Sequence, residues 1–367
     1  MQTNRRSWLK QLGIVTAGLG LQPFNGMSEP VRKPLIRKTA DGKIHLEANE
    51  NPYGPSPMAR AAMAAAIIDS NRYNWSLRGE LIAGIAKKIH VSEDNILLGA
   101  GSTEILDLMV RFSAMGKGSF IVSDPTFAYW GETAQRLGME KISVPLGADK
   151  RNDLPAMLKA IKGDTRLIYL CNPNNPTGTI CDREALLAFV NEVSRKSIVL
   201  LDEAYLDFTS QPSLCDQVAN NKNLVIAKTF SKIYGMAGAR VGYAIAHPET
   251  IERLSRLQLW SNGSVSVASA AGALLSLRDS DFVSTAALLN EKAREFTIEQ
   301  LEKLSIPCIP SHTNFIYFSL VDYDKDFFKQ LQDHNIIGTR VYEEKGKWSR
   351  ITVGTMEEMQ KFIAAVA

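Results

Sequence analysis

Between residues 119 and 230 the chain alternates short apolar runs with longer stretches of mixed polarity. The runs are SFIVSD (119–124), RLIYLCNP (166–173), SIVLLDEAY (197–205) and NLVIAKTF (223–230). Each is rich in branched aliphatic residues and closes on Asp, Asn, Pro or Ser, which predicts buried strands. The last three begin roughly 25 to 30 residues apart, the spacing of strand–helix–strand units. Strands that are apolar on both faces belong to a mostly parallel sheet covered by helices, and ligands then bind beyond their carboxyl ends. Those ends read NPNNPTG, DEAY and TFSK, all polar and turn-rich. Before the first run, 58–70 and 77–89 have helical periodicity, and 44–46 reads as a short strand in a polar arm. After Pro248 a long helical region reaches Leu304, interrupted by the Gly/Ser-rich SNGSVSVAS. Beyond it, residues 308–320, 336–342 and 349–355 read as strands around a helix at 323–334, a smaller α+β unit.

Of the 367 residues 45% are hydrophobic, enough for about two domains with a real core. A net charge of +3, with both signs interspersed, gives no nucleic-acid footprint. Four cysteines without a C-x-x-C pair, and five scattered histidines, argue against a structural metal site or a disulfide framework. The N-terminus reads NRRSWLKQLGIVTAGLGLQPF, with Arg5 and Arg6 ahead of a Gly- and Ala-rich apolar run from Leu12 to Leu21. That run is too short to span a bilayer. It resembles a twin-arginine export signal, which implies a periplasmic enzyme; the alternative is an amphipathic helix on a cytoplasmic one.

Candidate chemistry gathers at the strand ends. In KTFSKIYGMAGARVGY, Lys232 follows a predicted strand, with hydroxyls at Thr229 and Ser231 and a guanidinium at Arg240. A lysine becomes a nucleophile when burial or a nearby cation lowers its pKa, and an arginine fork suits a dianion. GAGSTEIL (99–106) places two glycines before Ser102 and Thr103 at the start of a helical pattern, an anion cradle or a plain helix cap. Asp202 ends the run 198–201, where an unpaired carboxylate is costly. It suits a protonated ring nitrogen, or else caps a helix. Tyr205 and Asn175 complete a set fitting one cofactor: an aldehyde for the lysine, a phosphate for the cradle, a pyridinium for the aspartate. That cofactor is pyridoxal 5′-phosphate.

NPNNPTG, DEAY, SKIYGMAGARVGY and SRITVGT, in this order, resemble the fold-type I aminotransferases (class I/II), and among them the histidinol-phosphate aminotransferase group. The likeness runs over about residues 44–355. It implies an α/β fold: a large domain with a mostly parallel seven-stranded sheet between helices, plus a smaller α+β domain. The expected layout is a leader at 1–28, an arm at 29–57 joining the small domain, a large cofactor-binding domain at 58–262 and a small domain at 263–367. The resemblance further implies that Lys232 carries the cofactor as an internal aldimine and shuttles protons. Asp202 would face the pyridinium, and Asn175 and Tyr205 the ring oxygen. Ser102, Thr103, Thr229, Ser231 and Arg240 would take the phosphate, and Phe127 would stack on the ring, where the family often has tyrosine. Tyr73 would reach the phosphate of a neighbouring subunit, implying a homodimer with shared sites. Arg350 would hold the substrate's anionic group, with Asn49 and Tyr53 closing over it; Arg340 is a second anion contact or a solvated charge. The implied reaction is ping-pong transfer of an amino group between an amino acid and a 2-oxo acid, the alternative being a C–S lyase or decarboxylase on the same scaffold. An exported enzyme would not meet histidinol phosphate, a cytosolic intermediate, so an amino acid is the expected substrate.

Overall fold

The predicted apolar runs lie side by side. The computed structural model describes residues 41–367. Its strands are β1 (Ile44–His45), β2 (Ile96–Gly99), β3 (Gly118–Asp124), β4 (Met139–Pro145), β5 (Thr165–Cys171), β6 (Ile198–Asp202), β7 (Leu224–Thr229) and β8 (Gly242–Ala246), followed by β9 (Cys308–Ile309), β10 (Phe315–Ser319), β11 (Ile336–Ile337), β12 (Val341–Glu343) and β13 (Trp348–Thr352). Seven of them form the main sheet in the order β2-β8-β7-β6-β5-β3-β4. β4, β3, β5, β6 and β7 run parallel, whereas β8 is antiparallel to both of its neighbours. This is the mostly parallel, seven-stranded α/β sheet that was expected.

Side chains alternate across the sheet, as the two-residue period of a strand requires. Ile168, Leu170, Val199 and Leu201 face one core, together with Leu81 and Ile85 of α2 (Trp75–Ile89), which follows α1 (Pro57–Ala66). Leu167, Tyr169 and Leu200 face the other, against Ile105, Leu106 and Met109 of α3 (Ser102–Ser113). In this second core Trp130 meets Tyr169 edge to face and Phe120 at a tilt, at centroid distances of 5.1 and 5.3 Å. Next come α4 (Gly131–Arg136), α5 (Leu154–Lys159) and α6 (Arg183–Val193), the last adding Leu186, Phe189 and Val190 to the first core.

Toward the C-terminus lie α7 (Pro248–Ser255), α8 (Val267–Arg278), α9 (Ser280–Lys303), α10 (Phe327–Asp333) and α11 (Met356–Val366). A second, antiparallel sheet, β12-β13-β10-β9, builds its own core from Ile316, Phe318, Ile351, Phe362, Ala293 and Leu301. The arm's β1 pairs parallel with β11, and Leu46 enters this small core. A division at 262/263 does not follow the packing. Ala270, Ala273 and Leu274 of α8 are buried in the large sheet's core, because the Ala- and Gly-rich VASAAGALL lets that helix lie close against α1 and α2. The expected leader lies outside the described residues.

Strand register positions the functional segments. Gly99 at the end of β2 pairs with Gly242 at the start of β8, and Gly242 pairs with Thr229 at the end of β7. One row of the sheet therefore brings GAGST, TFSK and ARVG together. Gly242 permits this closeness: a Cβ there would lie 2.3 Å from the Ser102 nitrogen. On the other side of β7, Asp202 of β6 sits in register with Ala227 and with Cys171, which leads into NPNNPTG.

Candidate active site

A cleft of about 800 Å³ opens at these strand ends. Asn49, Ser102, Thr103, Phe127, Asn175, Asp202, Tyr205, Thr229, Ser231, Lys232, Arg240, Arg340 and Arg350 all line it. Tyr53 does not, and Tyr73, expected to reach a neighbouring subunit's phosphate, lies outside its own subunit's cleft. Tyr53 is buried in the large core, its backbone N–H donating to Asn51 Oδ1 at 3.0 Å. Tyr73 is 60% exposed on the outer surface, against Trp75 and Trp260 with centroids 5.8 and 4.6 Å away.

The anion cradle forms at the start of α3. Gly101, at φ +76°, is its N-cap and brings no side chain to the first turn, so helix N–H groups face the cleft. A Cβ on Gly101 would lie 2.3 Å from Arg240 Nη2, so glycine is what lets the guanidinium reach this point. Arg240 donates to Thr103 Oγ1 at 2.8 Å and to Ser231 Oγ at 3.4 Å. Thr229 Oγ1 donates to Ser231 Oγ at 2.9 Å. Thr103, Ser231 and Arg240 thus converge from two segments, and among the described residues no carboxylate pairs with Arg240.

Asp202 is buried at the end of β6. Its Oδ2 accepts from the Tyr169 hydroxyl at 3.0 Å and its Oδ1 from the Ala204 N–H at 3.1 Å. Burial pushes its pKa up to about 6, opposed by those two donors and by the charge on Lys232. A protonated ring nitrogen would relieve that desolvation. The Tyr205 hydroxyl receives hydrogen bonds from Asn49 Nδ2 at 3.0 Å and Asn175 Nδ2 at 3.4 Å. Lys232 Nζ donates to the carbonyls of Asn49 and Ala48 at 3.1 and 3.2 Å. Burial first, then the positive charges of Arg350 and Arg240, lowers its pKa to about 8.

Arg350 joins Lys232, Arg240 and Arg340 as a cation of the cleft. From β13 it donates through Nη1 to Asn175 Oδ1 and through Nη2 to the Glu47 carbonyl, both at 2.6 Å. Its buried Nε has no partner, and no carboxylate pairs with it among the described residues. Sequence reasoning missed three tyrosines. Tyr129, two residues after Phe127, lines the cleft and donates to the Thr103 carbonyl at 2.9 Å; the pair Phe127/Tyr129 in DPTFAYW was its only signal. Tyr342 lies 5.3 Å from both the Arg340 and the Arg350 guanidinium. Tyr169 holds Asp202 from inside a strand, where nothing in the sequence distinguishes it from core.

The residues fit pyridoxal phosphate on three observations: a cradle closed to any Cβ, a buried carboxylate short of a cation, and a lysine amine held near neutrality. The low lysine pKa gives a pH dependence. Below pH 8 the neutral Lys232 amine falls about tenfold per unit. Covalent uptake of added pyridoxal phosphate by cofactor-free protein should therefore accelerate with pH up to about 8 and then level off. Stopped-flow absorbance between pH 6 and 9 reads this directly, and a flat profile would rule out the lowered amine.

The family Aminotransferase class I and II matches residues 41–366. A histidinol-phosphate aminotransferase from Moorella thermoacetica is 36% identical over 88% of this chain and 84% of its own length. An aromatic amino acid aminotransferase from Mycolicibacterium smegmatis is 34% identical over 89% and 90%. The crystal structure of the Sinorhizobium meliloti histidinol-phosphate aminotransferase in complex with pyridoxal 5′-phosphate superposes with a TM-score of 0.80, at 27% identity and 90% coverage of both chains. With the fold, the cleft and these relatives in agreement, the chain belongs to the class I and II aminotransferases.

Proposed function

We propose an amino acid as the donor of this pyridoxal-phosphate-dependent aminotransferase, held by its carboxylate on Arg350, with a 2-oxo acid as acceptor. The observation that supports this is the unpaired Arg350: a buried guanidinium with a free Nε, facing the cleft beside Lys232, is stabilised by an anion. When bound, the cofactor supplies a carbonyl carbon for the amino group and a ring that accepts the electron pair left at the α-carbon. Asp202 would keep the ring nitrogen protonated. Tyr205, tied to Asn49 and Asn175, would hold the ring oxygen. Thr103, Ser231 and Arg240 would hold the phosphate. Lys232 Nζ, whose pKa burial lowers to about 8, would take the α-proton and return it to the carbon that had been the cofactor's carbonyl carbon. The two half-reactions alternate in one cleft, so donor and acceptor share the Arg350 contact. Arg340, exposed at the rim, is a second anion contact for a donor that carries another negative group.

The decisive experiment adds single amino acids to the purified holoenzyme with no acceptor present. Loss of the cofactor's visible band for some amino acids, with release of the matching oxo acid, is expected. A band that persists while pyruvate or carbon dioxide appears would move the enzyme to the lyases or decarboxylases. A strong preference for histidinol phosphate would overturn the amino acid reading.

Export to the periplasm by a twin-arginine signal belongs to the same proposal and rests on Arg5 and Arg6. That route carries folded protein, which suits an enzyme loaded with cofactor before export. With both arginines changed to lysine, activity should stay in the cytoplasmic fraction; undiminished periplasmic activity would refute the assignment.

The proposed partner is a second copy of the chain. Ile67, Ile68, Tyr73, Trp75, Leu259 and Trp260 expose a large apolar area, and Leu259 is fully exposed. Solvent alone is a poor match for so many aromatic and branched side chains. A dimer in sedimentation is expected. Tyr73→Phe should leave the dimer intact and weaken pyridoxal phosphate binding about tenfold, the scale of a lost hydrogen bond to a charged group. A fully active monomer would exclude shared sites.

A further inference from the structure

The rim of the cleft is tied down from outside it. β12 (Val341–Glu343) is a short edge strand that meets β13 at only two register positions, with a bulge between them. It is also the strand that carries Tyr342 to the cleft, directly after Arg340. So weakly paired a strand needs another anchor, and Glu343 supplies one. Its carboxylate accepts both hydrogen bonds of a bidentate contact from Lys150 Nζ, at 2.9 and 2.8 Å. Its Oε1 also accepts from the Tyr317 hydroxyl at 2.7 Å. The ion pair is only 19% and 24% exposed, and Lys150 Nζ lies 4.9 Å from the ring centre of Trp348, which stacks on Tyr317.

Lys150 is equally well anchored at its other end. It sits at φ +61° in a tight turn closed by the Gly147 and Arg151 backbones. Its carbonyl accepts from Thr179 Oγ1 at 2.8 Å. Thr179 in turn bonds Thr177, which receives Asn174 Nδ2, so the anchor belongs to the NPNNPTG segment that presents Asn175 to Arg350. A continuous path therefore runs from that segment through Lys150 and Glu343 to the edge strand that bears Tyr342. Neither Lys150 nor Glu343 lines the cleft.

We propose that Lys150 and Glu343 form a latch that holds Tyr342 between Arg340 and Arg350, and thereby governs how tightly the cleft grips its substrate. They are positioning residues: they act through Tyr342 and touch neither substrate nor cofactor. Arg350 shares its cation–π contact between Tyr342 and Phe315, each 5.3 Å away, so a displaced Tyr342 leaves the guanidinium held from one side only. Uniform binding is what such a device controls, and it appears in KM before kcat. The inference rests on the reading that Arg350 takes the substrate's carboxylate.

The test uses the holoenzyme with Glu343→Gln, which keeps the side chain's shape and an acceptor for Tyr317. For the best amino donor, KM should rise about tenfold while kcat stays within about twofold. The cofactor's absorption band should not move, and the melting temperature should fall by only a few degrees, without a matching loss of kcat. The charge swap Lys150→Glu with Glu343→Lys should bring KM back to within about threefold of the wild type. An unchanged KM in Glu343→Gln overturns the latch, as does a loss of kcat that tracks a lower melting temperature, or a swap that recovers nothing. Each of these leaves the donor assignment standing, provided the wild type converts amino acids. A wild-type enzyme that converts none overturns that assignment and the latch with it.

Discussion

Four cations, Lys232, Arg240, Arg340 and Arg350, line the cleft, and among the described residues no carboxylate forms an ion pair with Arg240 or Arg350. Arg240 and Arg350 are held by hydroxyls, an amide and backbone carbonyls, all neutral acceptors. Lys232 lies between their fields, and it loses its proton more readily than a lysine in water because burial and both guanidiniums oppose its charge. Much of the surrounding architecture serves this imbalance. Anions delivered by cofactor and substrate complete the electrostatics, so binding and activation of the lysine share one cause. Glu50 and then Asp202 act as counterweights, and Asp202 sits at a strand end where burial keeps it short of a cation.

Sheet register converts separated sequence segments into this arrangement. Gly99, Gly242 and Thr229 form one row, and Cys171, Asp202 and Ala227 form another. The parallel strands β3, β5, β6 and β7 were legible as apolar runs because both of their faces are covered. β2 and β8 were not: ILLG and GYAIA are short, and the glycines that make them useful weaken any strand signal. β4, at the sheet's edge, buries only Met139 and Val144 fully, so MEKISVP never reads as an apolar run. The single antiparallel strand β8 cannot be inferred from periodicity, which carries no direction.

The candidate site was more legible than the fold that builds it. Residues at strand ends, such as Asp202, Thr229 and Lys232, are polar where a run of apolar residues stops, and that break is a local signal. Asn175, Ser102 and Arg350 needed the resemblance as well, since turns, helix caps and strand arginines are common. Tyr53 failed because proximity in NENPYG says nothing of side-chain direction: Asn49 turns toward Tyr205 while Tyr53 turns into the core. Tyr169 was invisible because a tyrosine in a buried strand looks the same whether its hydroxyl is idle or holds a catalytic carboxylate.

The two walls of the cleft have unequal room to change. Its floor is set by backbone register and by glycines that admit no side chain, as at Gly101 and Gly242. Its rim hangs on a three-residue edge strand with a bulge and two register pairs, in which side chains do much to decide the position. A side-chain substitution can therefore reshape the border of this cleft while leaving the sheet that carries the chemistry as it is.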